Sequence, residues 1–417
     1  MHVIEPPVRP DSIEDTGIER NLLMMLIAKA MFTLGTVPPS RLADDLMISP
    51  IIITSLLEEM ANLALIESRG LTGSDMTGEI RYALTMKGNN WASDALEQSQ
   101  YVGPAPVSMD AFRAQVEKQA ITGEKVDREA LAKSLSGLVL PEALVNRLGP
   151  AINSGKSILL YGDPGNGKTS IAEAMGGAFE QVIQIPYCIE VGGQIINFFD
   201  ENVHKRVETD RAGDADPRWV ACKRPVVITG GELTMDMLDL IFNPYAKFYE
   251  APLHMKATGG IFILDDFGRQ QVAPQTLLNR WIIPLERGFD YLTLHSGKKF
   301  SIPFDELVVF STNIAPRSLA DDATLRRLYF KIQVPTPTRE DYIEIFENIC
   351  AKYGISIEKD MINEFYDDFY SDDRTYPSGH HPEYIVDHVI SACDYLQIDK
   401  LVSKELLAYG ASHLKVN

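Results

Sequence analysis

The spacing of apolar residues changes several times along this chain, and the changes mark its parts. Residues 18–34 carry apolar side chains at helical spacing, 38–47 predict a short second helix, and Ser49 is an N-cap candidate for a third that runs to about Asn62. Two strand-like runs follow, 63–69 and 79–85, separated by a Gly/Asp/Thr-rich turn from Gly70 to Gly78, which together predict a hairpin. From about 123 to 335 short apolar runs at 157–161, 181–185, 261–264 and 307–311 alternate with helical segments, as in a parallel α/β sheet. Residues 336–417 predict helices with little strand signal.

Punctuation sets the boundaries. The stretch 98–109 contains Gly103, Pro104 and Pro106 and has the composition of a linker. The expected division is a flexible N-terminus (1–16), a helix-turn-helix unit with its hairpin (17–97), a linker (98–122), an α/β domain (123–335) and a helical C-terminal part (336–417). At 417 residues the chain is long enough for two or three such domains.

Composition narrows the partners. With 45% hydrophobic and 23% charged residues the chain can bury a core and cover its surface. A formal net charge of -19 opposes contact with phosphate backbones, so DNA is disfavoured. Cys188, Cys222, Cys350 and Cys393 form no C-x-x-C pair, which argues against a zinc site or a disulfide framework and for a reducing cytoplasm. The N-terminal stretch is rich in proline and acids and does not have the form of a signal peptide. The longest apolar stretch, 22–34, includes Lys29 and is too short to cross a bilayer.

The sharpest chemical signal is the run Gly162, Asp163, Pro164, Gly165, Asn166, Gly167, Lys168, Thr169, which fits G-x-x-x-x-G-K-[ST] without a mismatch. An apolar strand leads in and a helix beginning at Ser170 leads out, so main-chain N–H groups can wrap the phosphates of ATP at a helix N-terminus. In such a loop Lys168 neutralises β- and γ-phosphate charge, and the Thr169 hydroxyl takes a position on Mg²⁺. About a hundred residues downstream the apolar run 261–264 ends in Asp265 and Asp266. Asp265 is the expected magnesium carboxylate, and Asp266 the expected general base that polarises the attacking water.

The run 307–313, ending in Ser311, Thr312 and Asn313, resembles the sensor-1 strand of AAA+ ATPases. That resemblance implies a P-loop parallel sheet with a helical C-terminal lid, and a role for Asn313 in positioning the lytic water. The segment 322–332 is similar to the arginine-finger helix of AAA+ rings, which implies that Arg327, or Arg326 beside it, enters a neighbouring subunit's site. Two positions depart from the family. Glu383 stands where a lid arginine is common, with His380 and His381 as alternatives, and Asp266 stands where glutamate is usual. The region before 259–260 loosely resembles MoxR-type ATPases, and its Tyr187, Phe248 and Tyr249 either face a central pore or are packed.

The N-terminal unit resembles a winged-helix domain, which raises the question of DNA. Residues 1–100 hold seven Lys and Arg against fourteen Asp and Glu. The third helix carries Glu58 and Glu59 but no cation, whereas DNA readers need cations for phosphates. The expectation is therefore a ring-forming ATPase, a hexamer by resemblance, that remodels or assembles a partner protein docked on the winged helix. A DNA-associated ATPase and a nucleotide-gated assembly protein with slow turnover stand as alternatives.

Overall fold

Buried aliphatic side chains hold three N-terminal helices together. Arg20–Leu34 turns Leu23, Leu26 and Ile27 inward, Pro39–Leu46 buries Leu42 and Leu46, and Pro50–Asn62 buries Ile52, Ile53, Leu56, Leu57 and Met60. The last two open on a proline, whose missing N–H costs no helical bond there. Ser49 occupies the N-cap of the third helix, but its side chain makes no capping bond. The strands Ile66–Leu71 and Ile80–Leu84 pair antiparallel, Val37 bridges to Tyr82, and the helix Met86–Gln98 packs back on the first helix. This computed structural model describes residues 2–72, 78–209, 213–371, 376–400 and 402–414, so most of the turn expected at 70–78 lies outside the described residues.

Two segments expected to be loose are built into the body. The Ile4 N–H donates to Val182 O (2.9 Å), Val182 N–H to His2 O (2.9 Å) and Asp216 N–H to Pro7 O (2.8 Å), pinning the arm that composition marked as flexible. Proline removes a donor but keeps its carbonyl, so Pro7 still serves as an acceptor. The expected linker contains the strand Val107–Ser108 and the helix Met109–Lys118, whose Phe112 packs on Phe198 at 5.2 Å between ring centroids. Its Gly/Pro stretch is a bend rather than a tether: the Tyr101 hydroxyl donates to Pro104 O (2.7 Å), and the Tyr101 ring meets Phe248 edge-on at 5.7 Å.

The central sheet has five parallel strands: β1 (Ile158–Tyr161), β2 (Val226–Thr229), β3 (Ile261–Leu264), β4 (Leu307–Thr312) and β5 (Phe330–Gln333), in the order β5-β1-β4-β3-β2. Alternate residues of the middle strands feed two separate cores. Ile158, Ile261, Ile263 and Val309 face one, with the helix α1 (Lys168–Gly177) supplying Ile171 and Met175, while Leu159, Phe262, Leu264 and Phe310 face the other. Coverage on both faces explains why these strands read as unbroken apolar runs.

The expected strand at 181–185 is not in this sheet. Val182–Pro186 pairs antiparallel with Trp219–Lys223, and the edge place belongs to β2, which lay inside what read as a long insertion. Both are short apolar runs, and periodicity alone does not say which sheet a run joins. The rest of that insertion supplies Cys188–Val191, Gln194–Asn197, Ile241–Asn243 and Phe248–Glu250, which complete a second five-stranded sheet with Val107–Ser108.

Among the described residues, four helices follow the sheet: α2 (Arg339–Lys352), α3 (Lys359–Phe369), α4 (His381–Leu396) and α5 (Lys404–Ser412). They enclose Tyr342, Phe346, Ile362, Ile385 and Val389, and α2 opens on a capping box in which Thr338 and Asp341 satisfy each other's N–H groups. Among the described residues no helix is long and apolar enough to cross a membrane.

Candidate nucleotide site

The loop between β1 and α1 reverses direction over six residues, and its glycines adopt backbone angles that side chains resist. Gly165 has φ +78° and Gly167 +73°; a Cβ on Gly165 would also lie 1.9 Å from His380 Nδ1. Among the described residues the N–H groups of Gly165, Asn166, Gly167, Lys168 and Thr169 form no main-chain hydrogen bond, so they stand open in the loop and first turn of α1. That is the donor arrangement an anion needs.

Lys168 is almost fully buried, and its ammonium donates to Gly162 O (3.1 Å) and Asp163 O (2.8 Å). Burial lowers its pKa, while the nearby Asp265, Asp163 and Asp266 act in the opposite direction. The Thr169 hydroxyl donates to Asp265 Oδ1 at 2.8 Å. Asp265 sits at the end of β3, where its N–H donates to Thr229 O (2.8 Å) and its carbonyl accepts from Gln270 Nε2 (2.8 Å). Asp266 takes a left-handed φ of 48°, a conformation that aspartate tolerates better than most residues. Its Oδ1 accepts from Asn313 Nδ2 at 3.2 Å, which joins the end of β4 to the end of β3.

These groups line one cavity of about 520 Å³, together with Ser170. Its other wall is the segment 137–140 and the C-terminal helices, which present Asn348, Ile349 and Lys352 from α2 and His380 and Glu383 near the start of α4. The segments that lead into α2 and α4 touch the loop directly. The Ser378 hydroxyl donates to Pro164 O (3.1 Å), Gly379 N–H donates to Asn166 Oδ1 (3.2 Å), and Thr336 Oγ1 donates to Asp163 Oδ2 (3.1 Å). With Oδ1 of Asn166 turned to the C-terminal segment, its Nδ2 is left buried with no hydrogen-bond partner among the described residues. His380 Nδ1 lies 2.9 Å from Ser378 Oγ, and burial lowers the His380 pKa. His381 stacks on Tyr370 and is pushed down to about 4 by burial and by its His380 neighbour.

Sequence spacing missed one cation here. Glu383, found where the resemblance led one to look for arginine, pairs with Lys352 Nζ at 3.4 Å, so a positive charge does reach the cavity from α2. As the last residue of its helix Lys352 reads only as a favourable C-terminal charge, and no local signal distinguishes it.

Other anticipated residues lie elsewhere. Arg326 is exposed, and Arg327 pairs with Glu286 at 3.1 Å; neither lines the cavity of its own chain. The aromatic residues considered for a pore are packed. Tyr249 is 3% exposed with its hydroxyl accepting from His295 N–H, Phe248 lies against Tyr101, and Tyr187 accepts from Arg206 Nη1. The outward face of Pro50–Asn62 shows Ile51, Thr54, Ser55 and Glu58, while Glu59 pairs with Arg20 at 3.0 Å.

The donor set suits a magnesium triphosphate: a hydroxyl beside a carboxylate for a hard cation, and an ammonium with free main-chain amides for the anion. Residues 338–412 match a family described as a domain of unknown function (DUF8689). No curated protein matches the chain. Among solved structures, one variant of RuvB from Thermotoga maritima is similar at 13% identity over 71% of this chain and 73% of that one, with a TM-score of 0.38. A second RuvB variant from that organism aligns at 13% identity over 70% and 71%, with a TM-score of 0.40. Domain III of the Thermotoga maritima replication initiation protein DnaA aligns at 12% identity over 68% of this chain and 96% of its own, with a TM-score of 0.39.

Proposed function

We propose that this chain is an ATPase of the AAA+ type that binds Mg-ATP between its parallel sheet and its C-terminal helices. The observation that carries this is the convergence of Lys168, Thr169, Asp265, Asp266 and Asn313, drawn from three separate strand ends, on one cavity beside a ring of free main-chain amides. Ligands at the carboxyl ends of a parallel sheet are the general rule for such folds.

In this proposal the loop 162–167 and Lys168 hold the phosphates, and Thr169 with Asp265 holds the cation. Magnesium supplies charge neutralisation on the phosphates when bound. Asp266 accepts the proton of the attacking water, and Asn313 fixes the orientation of that carboxylate. Arg326 or Arg327 contributes to a neighbouring subunit's site, which makes turnover depend on a ring, a hexamer by resemblance. The C-terminal helices act as a lid that reports the nucleotide through Ser378, Gly379 and Lys352. The N-terminal unit, a winged helix by resemblance, serves as the docking module for a protein partner in the cytoplasm.

Calorimetry with ATP and magnesium, beside phosphate release, tests the core of this: the parent should bind and turn over, and Lys168→Ala should do neither. Absence of binding by well-folded parent protein sinks it.

A nucleotide-gated assembly protein with slow hydrolysis is the second reading, favoured by the short Asp266 carboxylate, one oxygen of which is already held by Asn313. Tight binding with phosphate release no faster than that of Lys168→Ala would select it. A role on duplex DNA has less support, because the outward face of the third helix presents Glu58 and no cation.

A further inference from the structure

A second recess, of about 830 Å³, runs along β2, away from the nucleotide cavity. β2 is an edge strand. Pro225 O and Thr229 O accept from the N–H groups of Ile261 and Asp265, both at 2.8 Å, so the alternation of a parallel ladder turns the N–H and C=O of Val226 and Ile228 away from β3. Val226 and Ile228 line the recess, and Ile228 is 43% exposed. Edge strands in native proteins are normally protected by a charge on the strand, a bulge or a covering segment. β2 consists of Val226, Val227, Ile228 and Thr229 and carries no charge of its own.

The charges stand on the flanks. Lys205 and Lys223 are exposed on the wall, and neither has a carboxylate within 4 Å among the described residues. Lys133 pairs loosely with Glu180 at 3.8 Å, and Arg224 is satisfied by Glu124 at 2.7 Å. With Arg224 buried against Glu124, the recess sets Lys133, Lys205 and Lys223 against the carboxylates of Glu173 and Glu180. On a chain of net charge -19 this is a local inversion of sign beside an open row of main-chain donors and acceptors.

From these features we infer that the β2 edge is the docking site for an extended acidic segment of a partner protein, which adds to the sheet as a further strand. Main-chain hydrogen bonds to Val226 and Ile228 supply register, and carboxylates on the segment meet Lys205 and Lys223. The recess also receives the C-terminal turn of α1, at Glu173, Gly176 and Gly177, and α1 carries the phosphate loop at its other end. An occupant would therefore touch the two elements, α1 and β2, that frame Thr169 and Asp265. Docking itself does not depend on nucleotide turnover.

The test uses the full chain and a fluorescein-labelled octapeptide of alternating Glu and Val, read by anisotropy. Saturable binding that weakens several-fold as salt is raised is expected. Lys205→Glu with Lys223→Glu should weaken it further, and the same peptide N-methylated at every residue, which leaves neither edge with a donor, should not bind. Ile228→Pro removes an N–H that faces the recess while leaving the bonds to β3, and should abolish binding. Circular dichroism and the thermal midpoint check that the variants fold; if Ile228→Pro does not, the N-methylated peptide decides on the parent protein. No saturable binding by the parent at millimolar peptide, or equal binding of the N-methylated peptide, overturns the proposal.

Discussion

The Thr169 hydroxyl donates to Asp265 Oδ1 at 2.8 Å across a sequence separation of 96 residues. One group opens α1 and the other closes β3, so the pair exists only when β3 and β4 are in register beside β1. Both are hard oxygen atoms, and under the proposed function holding them together in advance lowers the cost of ordering them around a cation.

Removing either oxygen should therefore separate metal-dependent from metal-independent binding. Thr169→Ala and Asp265→Asn are expected to weaken ATP binding roughly tenfold or more when magnesium is present. With the metal chelated the loss should largely vanish. Calorimetric titrations with and without EDTA check this, and an equal loss in both conditions would assign the pair a merely structural role.

Asp266 and Asn313 should affect turnover more than binding. Asp266→Asn is expected to lower phosphate release by ~10²-fold or more with ATP affinity retained, as for loss of a general base. Asn313→Ala should have a smaller effect in the same direction. Unchanged release in Asp266→Asn would remove this carboxylate from the chemistry.

The two arginines can be separated by mixing. Arg327 is held by Glu286 within its own chain, whereas Arg326 is exposed. Whichever of Arg326→Ala and Arg327→Ala is inactive alone should regain part of its turnover when mixed with Lys168→Ala protein. No recovery from either mixture, with mixed rings present by native mass spectrometry, excludes an arginine acting between subunits.

Gly165 should not tolerate a side chain. A Cβ there would lie 1.9 Å from His380 Nδ1 and 2.5 Å from Ser378 Oγ, at a φ of +78°. Gly165→Ala is expected to push the C-terminal segment off the phosphate loop and to destabilise the protein by ~1–3 kcal/mol. Greater hydrogen exchange in residues 378–383, with the N-terminal helices unaffected, is the signature to measure.

His204 makes stability depend on pH in a defined window. Its Nδ1 accepts from Asp200 N–H (3.0 Å), its Nε2–H donates to Lys256 O (2.9 Å), and its ring stacks on those of Phe198 and Phe199. Burial pushes its pKa down to about 4 from an ordinary 6.5. The folded state thus binds this proton less readily than the unfolded state, so the stabilising contribution is complete above about 6.5 and declines as pH falls toward 4, by ~1.4 kcal/mol per pH unit. Asp305, raised to about 6 by burial, and Glu306, raised well above its ordinary value, act with the opposite sign. The diagnostic quantity is therefore the difference in urea midpoint between parent and His204→Asn, which should shrink from pH 7 to pH 5. A difference independent of pH would refute the assignment.

What the sequence determined by itself is local chemistry. The glycines of the phosphate loop, Lys168 and Thr169 at a helix start, and Asp265, Asp266 and Asn313 at strand ends are legible because each depends on a few neighbouring residues and the direction of the chain. Tertiary structure decided the partners. It placed β2 rather than 182–186 at the sheet edge, seated Ser378 and Gly379 on Asn166, joined Lys352 to Glu383, and pinned residues 2–4 on Val182 and 7–9 on 214–216. An apolar run encodes that a face must be covered, and a loop encodes that its N–H and C=O groups must be satisfied. Neither encodes which distant segment does so, because that choice is made by the packing of the whole chain at once.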